Sequence, residues 1–195
     1  MIKVGVTGGI GSGKSIICKV FSIMGIPVFF SDIEAKKLLT NPKVIEFYRK
    51  EIGQPIFDEN NNIDKRKLAQ ILFADKNLLE KVNSFIHPIV NEMFEKWCKE
   101  QYNPPYVIKE SAILIERELY KNLDYIILVV SDINERINRI IERDKLSKEE
   151  ILKRINNQWN DEKKMNFANA VIYNNPDNPV IPQVLEIHDK LLLIK

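Results

Sequence analysis

Cysteine and histidine are almost missing from this chain, two of each in 195 residues. Two cysteines, Cys18 and Cys98, build neither a disulfide framework nor a tetrahedral zinc set. Cys18 falls on the apolar side of the first expected helix, where a buried thiol is the reading. An excess of one charge is missing too: 29 Lys and Arg against 27 Asp and Glu leave +2. That balance argues against a nucleic-acid binder working by neutralising many phosphates, while leaving room for a local basic pocket. No apolar run approaches the length of a membrane span. "MIKVGVT" reads as a strand rather than a leader peptide, and a reducing cytoplasm fits the cysteine usage. Glycine is scarce at seven residues, yet five of them crowd between Gly5 and Gly13.

What is present is the balance of an ordinary globular protein, 45% hydrophobic and 29% charged, with a length that suits one domain with an insertion. "IKVGVT" is short, apolar and β-branched, a buried strand. "KSIICKVFSIM" has helical spacing and stops at Gly25. "IPVFF" is a second strand, and Ser31 or Asp32 stands where a cap for the helix "IEAKKLL" is expected. From residue 43 to about 103 no convincing strand occurs. There Asp64 caps "KRKLAQILFAD", and Pro88 after His87 is expected to open a new helix. "YVIKES" and "YIILVV" read as strands separated by a helical stretch through "LIEREL". "INERINRIIERD" is a helix, and Ser147-x-x-Glu150 is a capping box for the next. "AVIYN" is a fifth strand, and "VIPQVLEIHDKLLL" a last helix. Alternation of this kind predicts a parallel sheet covered on both faces, with the all-helical block inserted after the second strand.

The crowded glycines resolve into a motif. Gly8 to Ser15, "GGIGSGKS", fits G-x-x-x-x-G-K-[ST], with a strand before it and an amphipathic helix after it. Backbone N–H groups can surround a phosphate only where side chains do not block the approach. The loop empties into a helix N-terminus, whose amides and dipole favour an anion. Lys14 brings a positive charge to the β- and γ-phosphates, and the Ser15 hydroxyl is suited to ligating Mg²⁺. The bland alternative is a flexible glycine turn. The dinucleotide fingerprint fails, because the third glycine it needs falls on Lys14.

A phosphate loop does not name the reaction. A GTPase switch needs D-x-x-G and a base-reading N-K-x-D, and neither is present. A mechanical ATPase needs more chain. A small-molecule kinase needs an acceptor site and a closing lid, which the helical insertion and the basic segment near 136–154 would supply. Asp32 follows the second strand directly, at the sheet edge where open α/β folds bind ligands. It is read either as the group that orients or deprotonates an attacking hydroxyl or as a helix cap. Arg139 and Arg143 share a helix face with Arg136 one turn earlier. They read either as bidentate phosphate ligands or as a solvated basic face. Arg154 and Gln158 are further candidates of that kind. Glu110 ends the third strand, where such proteins often hold a metal-orienting acid. His87 is read as a helix-start residue or a functional one. His188 lacks a sequence partner and is expected exposed, and Trp97 and Trp159 are expected in the core.

With these residues in hand, the chain resembles the dephospho-CoA kinase family from Ile2 to about Asn175. "VGVTGGIGSGKS" looks like its phosphate loop, and "FFSDIEAKKL" resembles its D-A-D segment, with Asp32 at the second acid. "NIDKRKLAQILFAD", "FIHPIV" and "SAILIE" resemble its acceptor-side blocks, "RINRIIERDKLSKEEILKRINNQ" its lid, and "ANAVIYN" its closing block. Phe30, Ala112, Arg136, Ile16 and Asn169 depart from the usual acid, proline, glutamine, threonine and aspartate. Glu116 matches the final acid of its P-L-L-F-E-like segment.

The resemblance implies an α/β fold of the P-loop nucleoside-triphosphate hydrolase type, a five-stranded parallel sheet flanked by helices with a helical insertion and a lid. The core is expected at about 1–32, 104–135 and 160–195, the insertion at about 33–103 and the lid at about 136–159. It also implies transfer of the ATP γ-phosphoryl group to the ribose 3′-hydroxyl of dephospho-CoA, with Mg²⁺. ATP is expected on Gly9, Ile10, Gly11, Ser12, Gly13, Lys14, Ser15, Arg139 and Arg143. Asp32, Lys14 and Arg139 are the expected catalytic residues, Asp32 and His87 the dephospho-CoA side, and Ser15 the metal ligand. The protein is expected to be cytoplasmic, a monomer or small homo-oligomer, without nucleic-acid or membrane partners. The alternatives are another P-loop kinase, with a nucleoside, nucleotide or shikimate-like acceptor, and an ATP-sensing regulatory module.

Overall fold

The computed structural model describes residues 1–194, with Phe73 described only in its backbone; Lys195, the last residue of the expected core segment, lies outside the described residues. Along the chain come β1 (Ile2–Thr7), α1 (Lys14–Ile23), β2 (Val28–Phe30), α2 (Ser31–Lys37), α3 (Pro42–Glu51), α4 (Lys65–Ala74) and α5 (Lys76–Glu100). Then follow β3 (Tyr106–Glu110), β4 (Tyr125–Val130), α6 (Ile133–Asp144), α7 (Lys148–Asn156), the five-residue α8 (Asp161–Met165), β5 (Ala170–Tyr173) and α9 (Val180–Leu193). Two compact units result: residues 1–30 with the chain from Gln101 onward, and Ser31–Glu100. Among the described residues no helix is long and apolar enough to cross a membrane.

The first unit is the sheet. Its five strands run in the order β2-β3-β1-β4-β5, all parallel. Period-two alternation puts Val4 and Val6 of β1, Tyr106 and Ile108 of β3, Ile127 and Val129 of β4 and Ile172 of β5 into one core. Ile17, Cys18 and Phe21 of α1 and Val184, Ile187 and Leu191 of α9 cover it. Each such side chain taken fully from water contributes about 1.5–3 kcal/mol, so this layer fixes the register of β1. Val107, Ile126, Leu128, Leu114 and Ile115 are buried as well. The helix α1 ends as its sequence predicts: Gly25 (φ +85°) donates to Ser22 O and Ile26 to Phe21 O, a Schellman stop.

Two expectations fail in this unit. "LIEREL" is not an α-helix: residues 112–118 are turns, followed by a 3₁₀ turn at Leu119–Asn122. Leu114 and Ile115 are buried within these turns, and Glu118 adopts a left-handed conformation at φ 54° that no α-helix continues through. His188 is not exposed; half-buried on α9, its Nδ1 lies 2.6 Å from the Tyr106 hydroxyl.

The second unit is helical. Asn41 caps α3 through Lys43 N, and Asp64 caps α4 through Arg66 N and Lys67 N. The rings of Phe47 and Phe85 stack with centroids 4.0 Å apart. The expected helix start at Pro88 is overturned, since α5 runs 25 residues with Pro88 inside it. Val82, Ile86, Val90, Phe94 and Cys98 are buried at an unbroken spacing of four. That stripe outweighs the one hydrogen bond a proline removes.

Candidate functional site

The glycine loop between β1 and α1 is held by side chains from three directions. Gly13 caps α1 in a left-handed conformation at φ 95°, and a Cβ there would run into Asn174 Nδ2. Asn174, immediately after β5, donates that amide to Ser12 O at 2.8 Å. Arg139, on α6, donates to Gly11 O at 3.3 Å, to Ser131 Oγ at 3.1 Å and to Asn174 O at 2.9 Å. Its guanidinium therefore ties the loop to the carboxyl ends of β4 and β5. Arg136, one turn before, is buried and donates from Nε to Ile10 O at 2.9 Å. Gln158, past the end of α7, accepts from Ile10 N at 2.8 Å.

Lys14 is buried at the start of α1 and donates from Nζ to Gly8 O (3.0 Å) and Gly9 O (3.2 Å). Beside it a cavity of about 540 Å³ is lined by Gly11, Gly13, Lys14, Ser15, Ile16, Arg139, Ile140, Glu142 and Arg143. It thus brings loop backbone, a lysine, an exposed serine and two arginines to one space. The arginines differ. Arg139 is half-buried with its donors on backbone carbonyls, whereas Arg143 is mostly exposed and forks onto Asp144 at 2.8 and 2.9 Å. Arg139 also lies 3.9 Å from Glu135 Oε2, so it departs from a plain solvated face through its contacts with the loop, while Arg143 keeps both readings open.

Glu110 is buried at the end of β3, in register with Val6 and Phe30. Its charge adds to burial in pushing the Cys18 thiol far above its ordinary range, and Lys14 opposes both. Asp32 and His87 belong to the other compact unit. Asp32 is exposed in the first turn of α2, and the cap reading fails because the helix already begins at Ser31. A carboxylate in a first helical turn is favoured by the dipole. His87 is half-buried within α5 rather than at a helix start. Trp159 stands outside any helix, half-buried, with Lys163 Nζ 3.3 Å from its ring centre.

The sequence reading missed Asn174, and it grouped Arg136 with Arg139 and Arg143 as phosphate ligands or a solvated face, neither of which is a hold on the Ile10 carbonyl. Asn174 carries one legible signal, its place directly after a parallel strand, where the loops of such sheets converge. The Asn169 departure has a plain reading: Oδ1 accepts from Ile126 N at 2.7 Å, an acceptor role that an aspartate would share. Glu116 Oε1 lies 2.7 Å from Lys164 Nζ, a buried ion pair between the turns after β3 and α8.

A sequence profile described as dephospho-CoA kinase matches residues 2–179. A dephospho-CoA kinase of Bacteroides fragilis is 40% identical over 190 residues, covering 95% of this chain and 91% of that one. One from Fusobacterium nucleatum is 39% identical, covering 88% and 89%. Among solved structures, a Thermus thermophilus protein superposes with a TM-score of 0.82 at 29% identity, over 98% of this chain and 96% of that one. A Campylobacter jejuni dephospho-CoA kinase, at 23% identity, shares the fold with a TM-score of 0.66 over 97% and 96%.

Proposed function

The chain belongs to the dephospho-CoA kinase family, and on that premise we propose which of its residues move the γ-phosphoryl group of ATP to the ribose 3′-hydroxyl of dephospho-CoA. The observation that carries the reading is the cavity in which Lys14, Ser15 and the loop backbone face Arg139 and Arg143. A phosphoryl group in transfer needs positive charge and N–H donors held around it, and little else from the protein.

ATP phosphates take the place of the Gly8 and Gly9 carbonyls as acceptors for Lys14 Nζ. Loop amides at the N-terminus of α1 hold the β-phosphate, within the expected ATP segment Gly9 to Ser15. Arg139 and Arg143 add charge on the far side of the cavity, from the segment 136–159 that we read as the lid. Asp32 accepts a hydrogen bond from the 3′-hydroxyl, orients it in line and takes its proton as the bond to phosphorus forms. His87 is read on the same acceptor side.

Ser15 presents a single exposed hydroxyl to this cavity, and among the described residues no group of three His, Cys, Asp or Glu is placed to hold a metal. That donor set fits a Mg²⁺ ion that arrives on the nucleotide's own phosphates and takes one protein oxygen. When bound, it neutralises charge on the β- and γ-oxygens. Cys18 and Cys98 are buried thiols outside any disulfide, which supports a reducing cytoplasm as the compartment.

The test is ADP release from Mg-ATP with dephospho-CoA, AMP, a nucleoside set and shikimate added separately. Release with dephospho-CoA alone is the expected outcome. Release with another acceptor in its place overturns the choice of substrate.

A further inference from the structure

Ile10, at the tip of the glycine loop, is gripped at both of its backbone polar atoms. Its carbonyl accepts from Arg136 Nε at 2.9 Å, and its N–H donates to Gln158 Oε1 at 2.8 Å. Those two side chains come from the two ends of the α6–α7 segment. The Ile10 side chain packs on the buried Ile137, Ile140 and Ile151 of the same segment. Gly9 completes the arrangement: a Cβ there would lie 2.5 Å from Arg136 Cζ, so a larger residue would displace the guanidinium.

The Arg136 guanidinium is held in the protein interior. Its side chain is 8% exposed, and burial disfavours its charge while Asp161, 3.4 Å from Nη1, only partly offsets this. A buried cation with so long a counter-contact is costly unless the shape it imposes is useful. The shape concerns the loop's amides. Ile10 N–H is taken by Gln158 and Ser12 N–H by Gly9 O at 3.1 Å. Gly11, Gly13 and Ser15, the residues that follow, line the cavity shared with Lys14 and Arg139.

We propose that Arg136 and Gln158 are positioning residues of the nucleotide site, which fix the backbone on both sides of Ile10 so that the following amides stay aimed at the β-phosphate. The inference rests on the ATP-kinase reading. It assigns the two residues to nucleotide affinity, and to neither the acceptor nor the chemical step. Pre-set donors spare the ligand the ordering cost of a loose loop.

The experiment is calorimetric binding of a non-hydrolysable ATP analogue with Mg²⁺ to the full chain and to Arg136→Met, Gln158→Leu and Gln158→Glu. Melting temperatures and both substrate KM values are recorded beside it. Losing a hydrogen bond to a charged group predicts a Kd raised about tenfold in Arg136→Met, with a smaller rise in Gln158→Leu. Gln158→Glu keeps an acceptor for Ile10 N–H and is expected to restore binding to within about threefold of wild type. The KM for dephospho-CoA and kcat at saturating ATP are expected to change by less than about twofold. Unchanged analogue affinity in the Arg136 and Gln158 variants overturns the proposal. So does an equal rise in both KM values tracking a fall in melting temperature. If wild type binds the analogue but turns over no dephospho-CoA, the acceptor reading falls and the Kd comparison still decides this one.

Discussion

Replacing Lys164 by methionine isolates the buried ion pair. Lys164 is fully buried on α8, and its Nζ lies 2.7 Å from Glu116 Oε1, whose side chain is 10% exposed. The contact is one of charge, because its angles do not meet those of an aligned hydrogen bond, and Glu116 Oε2 has no donor. Lys164→Met leaves a carboxylate in the protein interior with no countercharge, which costs about 3–5 kcal/mol. For a domain of this size that is roughly a 10 °C fall in melting temperature. Glu116→Gln alone strands the ammonium and costs a similar amount. The double variant Glu116→Gln/Lys164→Met removes both charges and is expected within about 1–2 kcal/mol of wild type, so the two single effects do not add. Urea unfolding followed by tryptophan fluorescence, with melting curves beside it, measures all three. A single Lys164→Met variant that loses less than about 1 kcal/mol would refute the reasoning, as would strict additivity.

Lys14→Ala is expected to abolish measurable ATP-analogue binding and ADP release together, since Lys14 is the buried cation of the loop. Asp32→Asn is expected to cut kcat by about 10²-fold or more with analogue affinity nearly unchanged; near-normal turnover would remove Asp32 from the chemistry. Gly13→Ala forces a φ of 95° on alanine and drives its Cβ into Asn174, costing about 1–3 kcal/mol from the backbone alone, and nucleotide binding is expected to fall with it. The Cys18 thiol gives a pH signature. Burial first, then Glu110, raises its pKa in the folded state above the ordinary 9.0. Its contribution is therefore complete below pH 9 and declines as pH rises past it, by about 1.4 kcal/mol per pH unit. Urea unfolding at pH 8 and pH 10 reads that slope, and Cys18→Ala is expected to flatten it.

The strand, loop and helix from Ile2 to Ile23 were legible because three local signals agree there: a β-branched run, a glycine loop with positive φ, and helical spacing after Lys14. The five parallel strands were legible for the same reason. "LIEREL" was not, because its apolar spacing imitates a helix while both Leu114 and Ile115 are consumed by the core. Pro88 misled because a proline's cost is local and the burial stripe that overrides it spans the whole of α5. In the site, Lys14 and Ser15 declare themselves by motif. Asn174 and Arg136 act on the loop's backbone from roughly 160 and 125 residues away in sequence, and a carbonyl leaves no mark on the sequence by which to name its partner.

The parallel pairing of β1 sets a timetable for synthesis. Ile2 pairs with Tyr106, and Val4 with Tyr125, so β1 emerges from the ribosome long before either neighbour exists. At about 5–20 residues per second it waits several seconds while the helices of Ser31–Glu100 are made and begin to fold. The glycine loop waits longer, until Asn174 arrives to take up Ser12 O. Nucleotide capture by the nascent chain therefore reports the arrival of the segment after β5 rather than the synthesis of the loop itself.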